Sequence, residues 1–227
     1  MSAAIHSRMK VDPAGLLAGI MLSFLATAGL FYVNIMAAIV DGLITGLGIS
    51  ESKAGLIGSA NIYGASVGAL IAVVLIKIVP WRPAAYTLLV LLIALDLISM
   101  PIESADALLA VRALHGLVGG MLVGTAFGVI ARTAQADRTF GILLFVQFGL
   151  GGLGVMTLPL VPIYGTQALF VALALFSFAS LVMLVFLPAF PPKPTTTLGS
   201  GKVEWGPLAL TLLAIFLFQA GNMGLLA

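Results

Sequence analysis

Arg112 and His115 stand three positions apart in "VRALHGLVGG" (residues 111–120), inside a block from roughly 107 to 131 that is otherwise free of ionisable groups. Three residues turn an α-helix through about 300°, so the two side chains project about 60° apart and share one face. The guanidinium is a planar fork of donors suited to an anion. The imidazole is a group that titrates near neutral pH. In an apolar medium a centrally placed charge costs roughly 2.5–3.5 kcal/mol on insertion scales, so Arg112 must snorkel to an interface, pair, or face a water-filled cavity. The expected arrangement is a cavity-facing Arg112 that organises a polar network or holds an anionic ligand, with His115 making binding depend on pH.

Few other residues could take part. Among the polar side chains inside apolar blocks, the candidates are Asn34, Asn61, Tyr63, Asp96, Gln147, Gln219 and Asn222. Asn34, Asn61, Asp96, Arg112 and His115 fall about 4–12 Å to one side of their block centres at 1.5 Å per residue. Asp96 lies five residues before Pro101 and is expected to snorkel to the nearby interface. No His-Glu-x-x-His, Gly-x-Ser-x-Gly or Walker-type sequence is present, so an enzyme is not expected. "GLGGLG" (149–154) satisfies Gly-x-Gly-x-x-Gly, yet it has no preceding strand and no acidic residue about 20 positions on. Its glycines are expected to permit close helix contact, and no cofactor is expected. The absence of cysteine excludes disulfides and Cys-ligated metals, and no metal site is expected.

The elements that position these residues follow from composition. The 227 residues are 61% hydrophobic and 8% charged, with a mean hydropathy of +1.21, which marks an integral membrane protein. Continuous apolar blocks fall at roughly 14–40, 54–76, 84–102, 107–131, 140–162, 167–188 and 207–227. Their continuity argues for helices and against the alternating strands of a barrel. The fold class expected is all-α, a polytopic bundle of transmembrane helices. The first block is too long for a signal-peptide core and reads as a span.

Eight Lys/Arg residues (Arg8, Lys10, Lys77, Arg82, Arg132, Arg138, Lys193, Lys202) fall on one side of these spans and only Lys53 on the other. The positive-inside rule then puts the N-terminus in the cytoplasm of a multi-pass protein, in the plasma membrane or a bacterial inner membrane. A net charge of +2 with scattered cations gives no support for a nucleic-acid partner; lipid is the expected surroundings.

The expected layout is a cytoplasmic N-terminus (1–13), a six-helix half-bundle (14–188), a cytoplasmic linker (189–206) and a seventh helix (207–227). The linker "PAFPPKPTTTLGSGKVEWGP" is rich in Pro, Thr and Gly. This pattern resembles the major facilitator superfamily, in which two six-helix halves joined by a cytoplasmic loop rock around a midplane site. "GISESKAGLIGSANIYGASVGAL" (48–70) is similar to the family's entry into its second helix. "RALHG" (112–116) resembles the fourth-helix motif Arg-x-x-Gln-Gly, with His115 in place of glutamine. "VVLIKIVPWR" (73–82) corresponds to the family's loop between the second and third helices. Lys77, Pro80 and Trp81 depart from its pattern, so the usual charge latch cannot form unaltered at the gating-loop residues Lys77 and Arg82.

The resemblance implies secondary transport of a small organic solute by alternating access, with proton coupling left open and a second half-bundle as partner. It implies a chain that supplies part of a transporter. The alternative is a non-transporting half-bundle that binds a partner or senses a ligand, or an inactive remnant. If the first, second and fourth helices line the cavity, as in the family, Asn34, Asn61, Arg112 and His115 converge there as solute-binding residues, with Gln147 contributed by the fifth. Gly116, Gly120, Gly124 and Gly128 recur every four residues, and with Gly64 and Gly68 they are expected to bring helix backbones close together.

The orientation is open to direct measurement. In a chain without cysteine, an impermeant thiol reagent applied to intact cells should label cysteines placed at Ser50 or Ala105 and leave those at Val79 and Leu198 unlabelled. The reverse pattern would invert the topology.

Overall fold

The computed structural model describes residues 10–157 and 165–191, and within 205–217 all but 208, 212, 215 and 216. Seven helices are named from it: α1 (Leu16–Asn34), α2 (Met36–Leu47), α3 (Glu51–Ile78), α4 (Trp81–Ser99), α5 (Ala105–Ile130), α6 (Ala136–Thr157) and α7 (Gln167–Phe186). By length and composition α1, α3, α4, α5 and the last of these can each cross a membrane. The apolar block of α6 continues past Thr157 into residues outside the description. Among the described residues every regular element is helical, so the all-helical polytopic bundle expected from composition is the observed architecture.

Two boundaries differ from expectation. The first apolar block is broken: α1 ends at Asn34, Ile35 takes φ −112° and ψ 17°, and α2 resumes at Met36. The break needs no proline. The Ile35 N–H still donates to Phe31 O (3.2 Å), and the Ile39 N–H to Ile35 O (3.1 Å), so the peptide groups around it keep partners in an apolar medium. Helix also runs on through Asp41 to Leu47 and restarts at Glu51, so that of the stretch between the apolar blocks 14–40 and 54–76 only residues 48–50 form a loop. Gly48 ends α2 with φ +64°, a left-handed position that suits a residue without Cβ.

Local sequence explains several ends. Ser104 accepts from the Ala107 N–H at the start of α5, with Asp106 in its first turn. Glu51 opens α3 and Lys77 closes it, each charge complementing the helix dipole.

Helices α3, α5, α1 and α6 follow one another as neighbours, while α4 pairs with α7, α4 packing against α5 and α7 against α1. Two apolar cores result. One gathers Leu22, Leu25, Leu89, Leu92, Leu122 and Leu184 toward the end that carries Arg82. The other gathers Tyr32, Ile39, Leu43, Ile57, Leu108 and Phe170 toward the opposite end. Residues 96 and 112–115 fall where the two meet along α4 and α5.

Contact between α3 and α5 is backbone on backbone. A Cβ built on Gly64 would strike Ala113 O, one on Gly68 would strike Leu117 O, one on Gly116 would strike Asn61 O and one on Gly120 would strike Ala65 O. Further along, Gly124 meets the Ala72 methyl and Gly128 the tip of Ile76. Gly29 of α1 makes the same kind of approach to Gly119 of α5. The positions that face backbone admit hydrogen only, whereas at Gly128 the Ile76 tip can move aside, and the close approach places Asn61 against Arg112 and His115.

The chain divides into two compact units, residues 1–191 and 192–227. Most of the expected linker 189–206, with Lys193 and Lys202, lies outside the described residues, as do Gln219 and Asn222. Within the expected helix 207–227 the described residues are helical, and the Thr211 hydroxyl donates to Pro207 O at 2.8 Å.

Gly120→Leu should reduce the yield of folded protein in detergent at least several-fold, because it drives a side chain into the Ala65 carbonyl. Leu117→Ala only trims a half-buried side chain and should fold nearly as well as the wild type. Equal yields from the two would mean that α3 and α5 are not in backbone contact.

Candidate functional site

The polar residues of the spans fall into two groups. The first is a buried cluster that draws on five helices. Arg112 of α5, with no exposed surface, donates from one terminal nitrogen to Asp96 Oδ1 of α4 at 2.9 Å. Its other terminal nitrogen donates to Leu95 O at 3.0 Å and to the Ser99 hydroxyl. The guanidinium carbon lies 4.9 Å from the Phe170 ring of α7 and 5.7 Å from the Tyr32 ring of α1. Both aromatic faces favour a cation. His115 Nε2 lies 3.3 Å from the same Asp96 oxygen. Asn61 of α3 closes the ring: its side-chain nitrogen donates to Arg112 O at 3.0 Å and lies 3.0 Å from His115 Nδ1.

Helix geometry accounts for the meeting of Arg112 and Asp96. α4 and α5 form a hairpin joined by five residues, 100–104. Side chains on a helix lean toward its N-terminus, so Arg112 reaches back toward the hairpin turn, where Asp96 and Ser99 occupy one α4 face at i and i+3. Asp96 is therefore not a snorkelling residue, as its nearness to Pro101 suggested. It is fully buried, because the cheapest position for a carboxylate in this medium is against a guanidinium. Arg112 likewise neither snorkels nor opens to a cavity here; with His115 at 3% and Asn61 at 2% exposure, the three face one another in the interior. Asp96 Oδ2, Arg112 Nε and Tyr32 Oη have no protein hydrogen-bond partner among the described residues.

The second group is half-buried. Asn34, at the break between α1 and α2, donates from its side chain to the Gln147 carbonyl of α6 at 3.3 Å. The Asn34 side chain also packs at 3.6 Å from where a Gly151 Cβ would stand. The structure thus separates the five expected ligand-binding residues into a closed trio and a more open pair. A Cβ at Gly149 or Gly152 would meet nothing within 4 Å, so those glycines of "GLGGLG" are not used for close packing within this bundle. Tyr63 is exposed on α3.

Sequence reasoning missed Tyr32, Ser99 and Phe170. The available signal was the hairpin: opposite charges on adjacent antiparallel helices, close to the same turn, have few partners but each other.

At the basic end, Arg82 donates to Leu184 O at 2.9 Å, Lys10 donates to Val185 O, and the Val11 N–H donates to Phe186 O at 3.1 Å. The final carbonyls of α7 have no intrahelical donors, and cations at that end also complement its dipole. Desolvation and the neighbouring Arg82 cation lower the Lys10 pKa from its ordinary value. Arg82 also stands 5.4 Å from the centre of the Trp81 ring, while Lys77 is exposed. At the opposite end Lys53 and Asp106 form an exposed pair at 3.4 Å, a weak tie between the starts of α3 and α5.

No family model matches the chain, and no curated protein matches its sequence. Its structure is similar to one described as the crystal structure of a POT family transporter in complex with a thioalcohol-conjugated peptide. The TM-score is 0.60 at 16% identity, over 90% of this chain and 46% of that one. The likeness shows the fold alone, and the chain spans less than half the length of that transporter.

Removing one partner of the buried pair strands the other. Asp96→Ala should destabilise the bundle by about 3–5 kcal/mol, read as a lower melting temperature in detergent. Adding Arg112→Met should recover most of the loss. Additive losses in the double variant would show that the two charges act independently.

Proposed function

We propose that the chain is the N-terminal half of a secondary transporter of the major facilitator type, together with the seventh helix. In this reading it carries a small organic solute by alternating access, in the plasma membrane with its N-terminus in the cytoplasm. The observation that carries the proposal is the fold likeness, which extends over 90% of this chain but 46% of the transporter it resembles. A half-bundle supplies one wall of a cavity that forms between two, so a second half-bundle is the partner required.

Asn34 and Gln147 are the residues open enough to meet a solute. The break at Ile35 lies beside them, and interrupted helices at binding sites are a recurrent feature of transporters. Arg112, His115 and Asn61 then act from behind, holding α5 against α3 and α4. Lys77 and Arg82 belong to the cytoplasmic gate, with Arg82 tied to the end of α7. The driving force is an ion gradient or the solute's own gradient.

The neighbour's peptide conjugate makes short peptides the first members of a test panel. Proteoliposomes holding this chain alone should accumulate no solute. Co-reconstitution with a second six-helix half should give accumulation that Asn34→Ala and Gln147→Ala each reduce at least about fivefold, in line with loss of a binding hydrogen bond or two. Accumulation by the chain alone would overturn the half-carrier reading.

A further inference from the structure

The Arg112 carbonyl dictates the chemical state of His115. Asn61 Nδ2 lies 3.0 Å from that carbonyl oxygen and 3.0 Å from His115 Nδ1. A carbonyl oxygen only accepts, so the Asn61 atom facing it must be the one that bears hydrogens, which fixes which way round the amide sits. The second hydrogen of that NH2 group is then aimed at His115 Nδ1, which must present a lone pair to receive it. The ring proton is left on Nε2, 3.3 Å from Asp96 Oδ1.

We propose that His115 is held as the neutral Nε2–H tautomer and acts as a positioning residue, accepting from Asn61 at one nitrogen and donating to Asp96 at the other. Every group facing the ring agrees. From α3, Asn61 offers a donor; from α4, Asp96 offers an acceptor; from α1, Tyr32 presents its ring with centroids 5.7 Å apart; from α5 itself, Arg112 already supplies the cation that Asp96 needs. A doubly protonated ring would set Nδ1–H against the Asn61 NH2 group. Turning the amide over would relieve that clash but bring Asn61 Oδ1 against Arg112 O. It would also place two cations around one carboxylate in the membrane interior.

A neutral Nε2–H imidazole also accounts for the residue type at position 115. A glutamine, which stands there in Arg-x-x-Gln-Gly, presents one acceptor oxygen and an N–H donor. The neutral Nε2–H imidazole presents the same pair, whereas an imidazolium presents two donors and no acceptor. His115 is then a substitute for an amide and not a pH sensor, in contrast to the expectation from its type alone.

The test needs no transport activity, so its failure is separate from failure of the transporter reading. The chain has two histidines, and His6→Gln leaves His115 alone. Ring-15N NMR of this variant in lipid bilayers at about pH 6, where a free imidazole is largely protonated, should show one unprotonated and one protonated nitrogen, the latter assigned to Nε2. Two protonated nitrogens, or a proton on Nδ1, would overturn the proposal. A second measurement separates hydrogen bonding from packing. His115→Gln should keep the wild-type melting temperature, while His115→Met, of similar bulk but without the donor, should lower it by about 5 °C. Equal melting of the two variants would leave His115 as a space-filling residue and sink the idea.

Discussion

A guanidinium and a carboxylate, both out of reach of water, govern the arrangement of this bundle. Neither Arg112 nor Asp96 is tolerable alone in an apolar interior, and together they demand a particular geometry of α4 against α5. Once the two helices are set, Ser99 and the Leu95 carbonyl take up remaining donors of the guanidinium, and Tyr32 and Phe170 cover it from α1 and α7. The cluster gives little net stability by itself. Its role is to make other registers of these helices unfavourable, since each would leave a charge unmatched.

The glycine ladder serves the same end by a different force. Between α3 and α5 no side chain intervenes at Gly64, Gly68, Gly116 or Gly120, so dispersion acts between backbones at close range. That closeness lets the short Asn61 side chain reach Arg112 O and His115 Nδ1. Apolar packing thus fixes a polar contact, and the polar contact fixes the state of a ring that then orients a carboxylate. The solute-facing candidates Asn34 and Gln147 stand outside this chain of constraint, joined by one 3.3 Å bond at a break in the first span.

Much of this was legible in the sequence. Continuous apolar blocks announced helices, and their spacing placed most ends within a few residues. The four-residue glycine repeat marked one face of α5, and the 300° offset put Arg112 and His115 on a common side. What the sequence could not supply was the direction of that side. Periodicity is blind to which neighbour a helix face meets, so Arg112 was expected to look into a cavity and Asp96 to look outward. The break at Ile35 was illegible for a related reason. No proline or glycine marks it, and apart from Asn34 the residues around it are as apolar as the helix they interrupt.

The nearness of Asp96 and Arg112 to a five-residue turn also bears on biosynthesis. A helix emerging singly into lipid would carry its charge without a counter-ion, at a cost near that of one or two lost apolar side chains. Two helices released laterally as a closed hairpin carry none, because the opposite charges neutralise each other before either meets the hydrocarbon. For a translating ribosome, α4 and α5 are therefore one unit of insertion. The short connection 100–104 keeps the interval between their syntheses brief, so the acidic helix waits for its partner for the time needed to make only about thirty residues.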